Sequence, residues 1–196
     1  DDLQWRGLIA QVTDDDLCEV LDREQLTFYV GFDPTAPSLH VGNLLQLCNL
    51  RRLQQAGHQP IALAGGGTGM IGDPGGKSEE RNLLTPAELE FNLAGIREQI
   101  ARFVDFDAGA QMVDNGEWLW KVGYLEFLRD VGKHFTVNQM VARESVKARL
   151  ERPDVGISYT EFSYMLLQAY EYPQPFDRSA CRFHSGGGDR GGNIVP

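Results

Sequence analysis

Tyr29-Val30-Gly31-Phe32-Asp33-Pro34-Thr35-Ala36-Pro37-Ser38-Leu39-His40-Val41-Gly42-Asn43 runs from a strand into a helix. Its first part belongs to a β-prone run, Thr27-Phe28-Tyr29-Val30-Gly31, which Asp33-Pro34-Thr35 ends as a turn. Beyond it, Leu44, Leu45, Leu47, Leu50 and Leu53 recur at helical spacing and predict a helix over 39–56, stopped by Gly57. The unit therefore delivers His40 and Asn43 to the first turn of a helix, with Gly42 between them. Free N–H groups and the positive end of the helix dipole suit a triphosphate there. An imidazole and an amide in that place can donate hydrogen bonds to phosphate oxygens as charge builds in a transition state. On these residues alone, a helix cap at His40 and a packing glycine at Gly42 account for the pattern equally well.

The same alternation continues outward. Pro60-Ile61-Ala62-Leu63-Ala64 reads as a buried strand entering a glycine cluster, Gly65-Gly66-Gly67, Gly69, Gly72 and Gly75-Gly76. Thr85-Pro86 opens a helix, with Thr85 as cap and Glu88 three residues on, extending to about Phe103. Residues 110–114 read as a strand, and residues 124–131 and 137–150 as helices. Ser158-Tyr159-Thr160-Glu161 is a capping box before the helix carrying Phe162, Met165, Leu166 and Ala169. Cys181-Arg182-Phe183-His184 is a short last strand before a second cluster, Gly186-Gly187-Gly188 and Gly191-Gly192. Alternating β and α elements of this size predict an α/β fold, a parallel sheet with helices as in nucleotide-binding domains. Its glycine loops should sit at strand ends, where backbone can approach a ligand closely.

Composition sets the outer bounds. The 196 residues carry 18 Lys+Arg against 28 Asp+Glu, a formal net charge of -10. Hydrophobic residues at 42% and charged residues at 23% exclude disordered and fibrous classes. No run approaches the roughly 18 apolar residues of a membrane span, so no membrane partner is expected. The acidic balance argues against a chain whose main work is gripping nucleic-acid phosphate. Cys18, Cys48 and Cys181 are odd in number and lack metal-ligand spacing, which predicts a reducing compartment without a disulfide framework. Asp1-Asp2-Leu3-Gln4 has neither the basic nor the apolar region of a secretory signal and predicts a start inside a longer gene.

The pattern Tyr-x-Gly-Phe-Asp-Pro-Thr-x-x-Ser-Leu-His-x-Gly resembles the signature region of bacterial-type tyrosyl-tRNA synthetases, class I enzymes with a Rossmann-like catalytic domain. The resemblance continues through Gln54 to His58, Gly69 to Pro74 with Lys77 and Arg81, Phe127 to Phe135, and Gly156 to Tyr164. It covers nearly the whole chain and thins after Tyr172.

Roles follow from that resemblance at the matching positions. Thr35, His40 and Asn43 match residues that contact ATP during catalysis, and Lys77 and Arg81 match a Lys and an Arg that meet the pyrophosphate. Tyr29 matches the residue against the substrate phenol. Asp73, Tyr164 and Gln168 match the group that holds the tyrosine ammonium, and Tyr164 and Gln168 lie four residues apart on one helical face. Gly31, Asp33, Gly42, Gly187 and Asp189 match positions around ATP and the adenylate. Without the resemblance, Lys77 and Arg81 read as solvated loop charges and Asp73 as a turn residue before Pro74.

Four departures stand out. Asn43 replaces a second His and keeps a donor N–H at similar reach. Glu171 stands where the family commonly has an Asp that accepts a hydrogen bond from the substrate hydroxyl. One extra methylene shifts a carboxylate by about an ångström, and misplacement of that order costs about 10²-fold in rate. Tyrosine specificity then depends on whether Glu171 reaches by another rotamer. His184 and Arg190 each replace a Gln in the irregular last segment. The chain also ends at Pro196, before the family's Lys-x-x-Lys-Ser loop and its anticodon-binding and C-terminal RNA-binding domains.

The resemblance implies a catalytic domain over 1–196, incomplete at its C-terminus. It implies activation of tyrosine with ATP and transfer to tRNA(Tyr), with Mg²⁺ accompanying ATP and no protein-bound metal or organic cofactor. It also implies a homodimer formed through roughly residues 124–150, and a cytoplasmic or organellar location. A tryptophanyl-type relative and a catalytically silent synthetase-like RNA-binding protein are the competing readings.

Overall fold

The computed structural model describes residues 2–71, 84–143, 146–147, 150 and 156–187. Four strands, β1 (Thr27–Phe32), β2 (Gln59–Ala64), β3 (Gln111–Asp114) and β4 (Cys181–His184), form one parallel sheet in the order β3-β2-β1-β4. The chain moves outward from β1 through β2 to β3, then returns to the other side of β1 for β4. The direction of winding therefore reverses at β1. In parallel α/β sheets that reversal opens a crevice at the strand C-termini, and ligands bind there.

Side-chain alternation explains why both faces of the sheet are covered. Phe28, Val30 and Phe32 of β1 join Ala62 and Ala64 of β2 in a cluster with Leu47, Leu50, Leu53, Ile96 and Ile100. The odd positions Tyr29, Ile61 and Leu63 point the other way, into a cluster with Trp118 and Cys181 against which Leu119 and Tyr170 pack. Tyr29 pairs with Ile61, and Gly31 with Leu63, in the β1–β2 register. Burying each such large side chain contributes about 1.5–3 kcal/mol. Central strands buried on both faces account for the near-continuous apolar runs in the sequence.

The helices in chain order are α1 (Asp2–Trp5), α2 (Leu17–Arg23), α3 (Val41–Gln55), α4 (Pro86–Ile100), α5 (Gly116–Leu119), α6 (Tyr124–Asp130), α7 (Val137–Ala142), α8 (Tyr159–Glu171) and α9 (Pro173–Ser179). Helices α3 and α4 supply the first cluster, while α5 and α8 cover the opposite face. The cap signals hold. Thr85 and Glu88 form a reciprocal capping box with Pro86 in the first turn, and Ser158 Oγ accepts from Glu161 N–H at 3.2 Å. Among the described residues no helix is long and apolar enough to cross a membrane.

Two helix lengths differ from expectation. Helix α4 stops at Ile100 rather than near Phe103, because the chain tightens into i→i+3 bonds from Arg102 N to Gln99 O and Phe103 N to Ile100 O. The helix expected over 137–150 is interrupted after Ala142, and residues 146–147 and 150 are helical again. Arg143 is extended, with φ -62° and ψ 135°, and breaks the ladder. Helix α9 has no counterpart in the sequence reading. Its Pro173 and Pro175 resemble breakers, yet Pro173 sits in the first turn, where no N–H is needed. Left-handed Ala180, φ 50°, then turns the chain into β4.

Candidate active site

The signature segment leaves β1 at Phe32 and reaches α3 at Val41. Thr35 N–H bonds back to Asp33 O at 2.9 Å, and Pro34 is fully buried beneath the turn. His40 is the N-cap of α3, its Nδ1 accepting from Gly42 N–H at 3.1 Å. Asn43 completes the box, its Oδ1 accepting from His40 N–H at 3.1 Å. The residue that caps the helix is thus the one that the resemblance matches to an ATP contact. With Nδ1 accepting, the ring's other nitrogen, Nε2, is the one left to donate, on an exposed side chain. The NH₂ of Asn43 takes no part in the cap and is a second donor. Gly42 permits the arrangement, because a Cβ there would lie 2.9 Å from both Cε1 and Nδ1 of His40.

At the C-terminal end of β2, Gly65 to Gly69 form a buried loop fastened to the end of β3. Gly66 N–H donates to Asp114 Oδ1 at 2.9 Å. Asn115 Oδ1 accepts from Gly67 N–H at 2.7 Å and Thr68 N–H at 3.3 Å, and its Nδ2 donates to Thr68 Oγ1 at 2.9 Å. A Cβ on Gly66 would stand 2.1 Å from Asp114 Oδ1, and one on Gly67 2.7 Å from Leu119. This corrects one expectation. The close approach these two glycines allow is to the protein's own side chains. Gly31 is different: it is exposed within a buried strand, and a Cβ there would meet nothing within 4 Å. Open space over a central strand marks a place where a ligand can approach the backbone.

That space adjoins Tyr29, two residues back on the same strand face. The Tyr29 ring stacks on His184 of β4, centroids 4.1 Å apart and 10° from parallel, and meets Tyr172 edge-on at 6.3 Å. Burial, followed by the nearby charge of Glu171, pushes the Tyr29 phenol far above its ordinary range, so it stays a neutral O–H. Helix α8 brings Tyr164, Gln168 and Glu171 onto one stripe at i, i+4 and i+7. Tyr164 and Glu171 are buried. Glu171 Oε2 accepts from Asn115 Nδ2 at 2.6 Å, so the longer carboxylate is held by a fixed partner. A carboxylate has lone pairs for further donors beyond that one.

The structure therefore brings Tyr29, Gly31 and Glu171 to one end of the crevice, and Thr35, His40, Gly42 and Asn43 to the turn that follows β1. Asp33 lies at that turn, and Gly187 lies three residues beyond β4. Asp73, Lys77, Arg81 and Asp189 lie outside the described residues, as does Arg190. Sequence reasoning missed Asn115, which is 0% exposed and joins the glycine loop to α8. A signal for it existed: Asp114-Asn115 closes a parallel strand, where polar side chains enter the crevice. His184 drew notice only as a departure, yet its ring forms a wall against Tyr29. Among the described residues no three of His, Cys, Asp or Glu gather as a metal cluster would.

A parallel sheet that reverses at β1, with a capped imidazole and a buried phenol–carboxylate pair at that reversal, defines a Rossmann-like nucleotide-handling domain. The chain belongs to the tRNA synthetases of class I (W and Y), whose family model matches residues 21–195. It is 58% identical over 199 residues to a tyrosine–tRNA ligase of Opitutus terrae, covering 100% of this chain and 47% of that relative. To the tyrosine–tRNA ligase of Roseiflexus castenholzii it is 52% identical over 198 residues, covering 100% and 46%. A C-terminally truncated mitochondrial tyrosyl-tRNA synthetase of Aspergillus nidulans superposes with a TM-score of 0.85 at 33% identity, covering 98% of this chain and 57% of that one. The chain spans about half the length of the curated relatives it matches.

Proposed function

We propose that the protein to which this chain belongs activates tyrosine with ATP and transfers it to tRNA(Tyr). The tyrosine carboxylate attacks the α-phosphate of ATP, forming tyrosyl-adenylate and releasing pyrophosphate. A hydroxyl of the terminal adenosine of tRNA then attacks the tyrosyl carbonyl and releases AMP. Mg²⁺ would accompany ATP as part of the substrate and would supply neutralisation of phosphate charge. The observation that carries this reading is the buried Glu171 carboxylate beside the neutral Tyr29 phenol, at the crevice that His40 borders.

In this reading the tyrosine phenol lies over Gly31, donating to Glu171 and accepting from Tyr29. Asp73, Tyr164 and Gln168 hold its ammonium, and Asp189 with Gly187 holds the adenylate. His40 Nε2–H, Asn43 and Thr35 meet the phosphates, with Lys77 and Arg81 on the pyrophosphate. Stabilising charge with prearranged donors is the main work asked of such a site.

The homodimer proposed from residues 124–150 has a candidate face. Tyr124 and Leu125 of α6, Val137 of α7 and Tyr159 of α8 are exposed, and the Tyr124 and Tyr159 hydroxyls lie 3.3 Å apart. These are exposed apolar side chains of the sort a dimer interface would bury.

Tyrosine-dependent exchange of pyrophosphate into ATP, run beside phenylalanine and tryptophan, tests the activity. Exchange with tyrosine alone is expected. Exchange driven by tryptophan instead, or by none of the three, rejects the assignment. Sedimentation of the protein as the cell makes it, compared with Leu125→Asp, tests the dimer. A monomer in the unsubstituted protein rejects it.

A further inference from the structure

Helix α4 contributes nothing to the residues assigned above, yet three of its positions grip the segment between β1 and α3. Asn92, 6% exposed, donates through Nδ2 to Pro34 O at 2.9 Å. Gln99 Oε1 accepts from Leu39 N–H at 2.9 Å. Between them, Gly95 approaches so closely that a Cβ would stand 2.2 Å from Pro37 O. Positions 92, 95 and 99 follow i, i+3 and i+7 and form one stripe. Ile96, wholly buried in the first cluster, fixes that stripe against the sheet.

The gripped segment cannot hold itself. Pro34 and Pro37 have no N–H to donate, and residues 35 to 38 are exposed. Internal ties include the Thr35–Asp33 bond and the cap at His40. Leu39, which Gln99 secures, immediately precedes the capping imidazole, and Pro34, which Asn92 secures, immediately precedes Thr35. The two phosphate-facing side chains are each one residue from an α4 contact. A buried Asn in a helix facing a core is also expensive unless its amide is paired, and here a loop carbonyl supplies the partner.

We propose that α4 is a prop for the ATP-facing loop, with Gln99 and Asn92 as positioning residues acting through Leu39 and Pro34 on His40 and Thr35. This inference rests on the ATP reading of that loop. A displacement of about an ångström at such groups costs on the order of 10²-fold, so partial release of one end costs about tenfold.

The test uses pyrophosphate exchange in the protein as the cell makes it. Gln99→Met keeps size and removes the acceptor, whereas Gln99→Glu keeps an acceptor oxygen. Gln99→Met is expected to raise the KM for ATP about tenfold while leaving the KM for tyrosine unchanged. Gln99→Glu is expected to restore the ATP value, and Glu98→Ala, on the exposed side of the same helix, to leave both alone. A merely structural role lowers the folded fraction and thermal stability without separating the two KM values, because KM does not depend on how much enzyme is folded. Equal changes in both values, no change in either, or failure of Gln99→Glu to restore the ATP value overturns the inference. If the unsubstituted protein shows no exchange, the activation reading falls and takes this one with it.

Discussion

At the Tyr29 end of the crevice the groups are buried, whereas at the His40 end they are exposed and held from behind. Tyr29, Asn115 and Glu171 are all less than a tenth exposed. The hydrogen bonds of Asn115 run to elements far apart in sequence, as in the Asn115–Glu171 bond at 2.6 Å. His40 and Thr35 face solvent, and their anchors are backbone caps and contacts from α4. In the proposed activity the two ends have different tasks. Selecting a hydroxyl requires a dry site, in which an unpaired polar group costs heavily against the wrong ligand. Meeting a triphosphate requires donors that wait in water and act when charge arrives, so they need orientation more than burial.

Breaking the dry end should have the largest effect. Glu171→Ala removes the buried acceptor and is expected to reduce discrimination between tyrosine and phenylalanine by about 10³-fold or more. Sites built to hydrogen-bond a hydroxyl discriminate by about 10⁴–10⁵, with tyrosyl-tRNA synthetases themselves the reference case. Comparing kcat/KM for the two amino acids in exchange measures this. Preserved discrimination would show that another group reads the hydroxyl.

The exposed end comes next. His40→Ala is expected to lower kcat/KM for ATP in exchange by about 10²-fold, the cost of one prearranged donor, with the KM for tyrosine unaltered. A rise in that KM instead would place His40 against the amino acid and erase the division between the two ends.

Asn115→Ala asks whether the dry end is also a structural joint. It strips partners from Gly67, Thr68 and Glu171 together, and a loss of about 2–4 kcal/mol is expected in urea unfolding. A loss below 1 kcal/mol would mean that the network adds nothing to stability.

Gly42→Ala should be the mildest. The new Cβ would lie 2.9 Å from the imidazole, which must swing aside. About a tenfold fall in kcat with little change in thermal stability is expected, since the position is exposed. An unchanged kcat would show that the imidazole works from more than one orientation.

Local signals made much of this legible in advance. The β1–turn–α3 unit, the Thr85–Glu88 cap and the last strand are each encoded within a few residues of themselves, and all formed. At His40 the cap reading is realised, since its Nδ1 accepts from Gly42 N–H, and that bond leaves Nε2 for the proposed phosphate contact. The failures were contextual. A periodic apolar pattern after Val137 read as one long helix, but Arg143 turned extended. Pro173 and Pro175 hid a helix that packing permits. The glycines after β2 looked ligand-facing, although two of them accommodate Asp114 and Leu119.

From the sequence alone came the alternation of strand and helix, the signature residues from Tyr29 to Asn43, and the family to which the chain belongs. Those depend on short-range spacing and on residue types that chemistry makes hard to exchange. Tertiary structure decided the rest: the strand order that places the crevice at β1, the bond that holds Glu171, and the stripe on α4 that grips Pro34, Pro37 and Leu39. Asn115 and Glu171 are separated by 56 residues, and Leu39 and Gln99 by 60. No local propensity carries such pairings, because they exist only once both faces of the sheet have been buried.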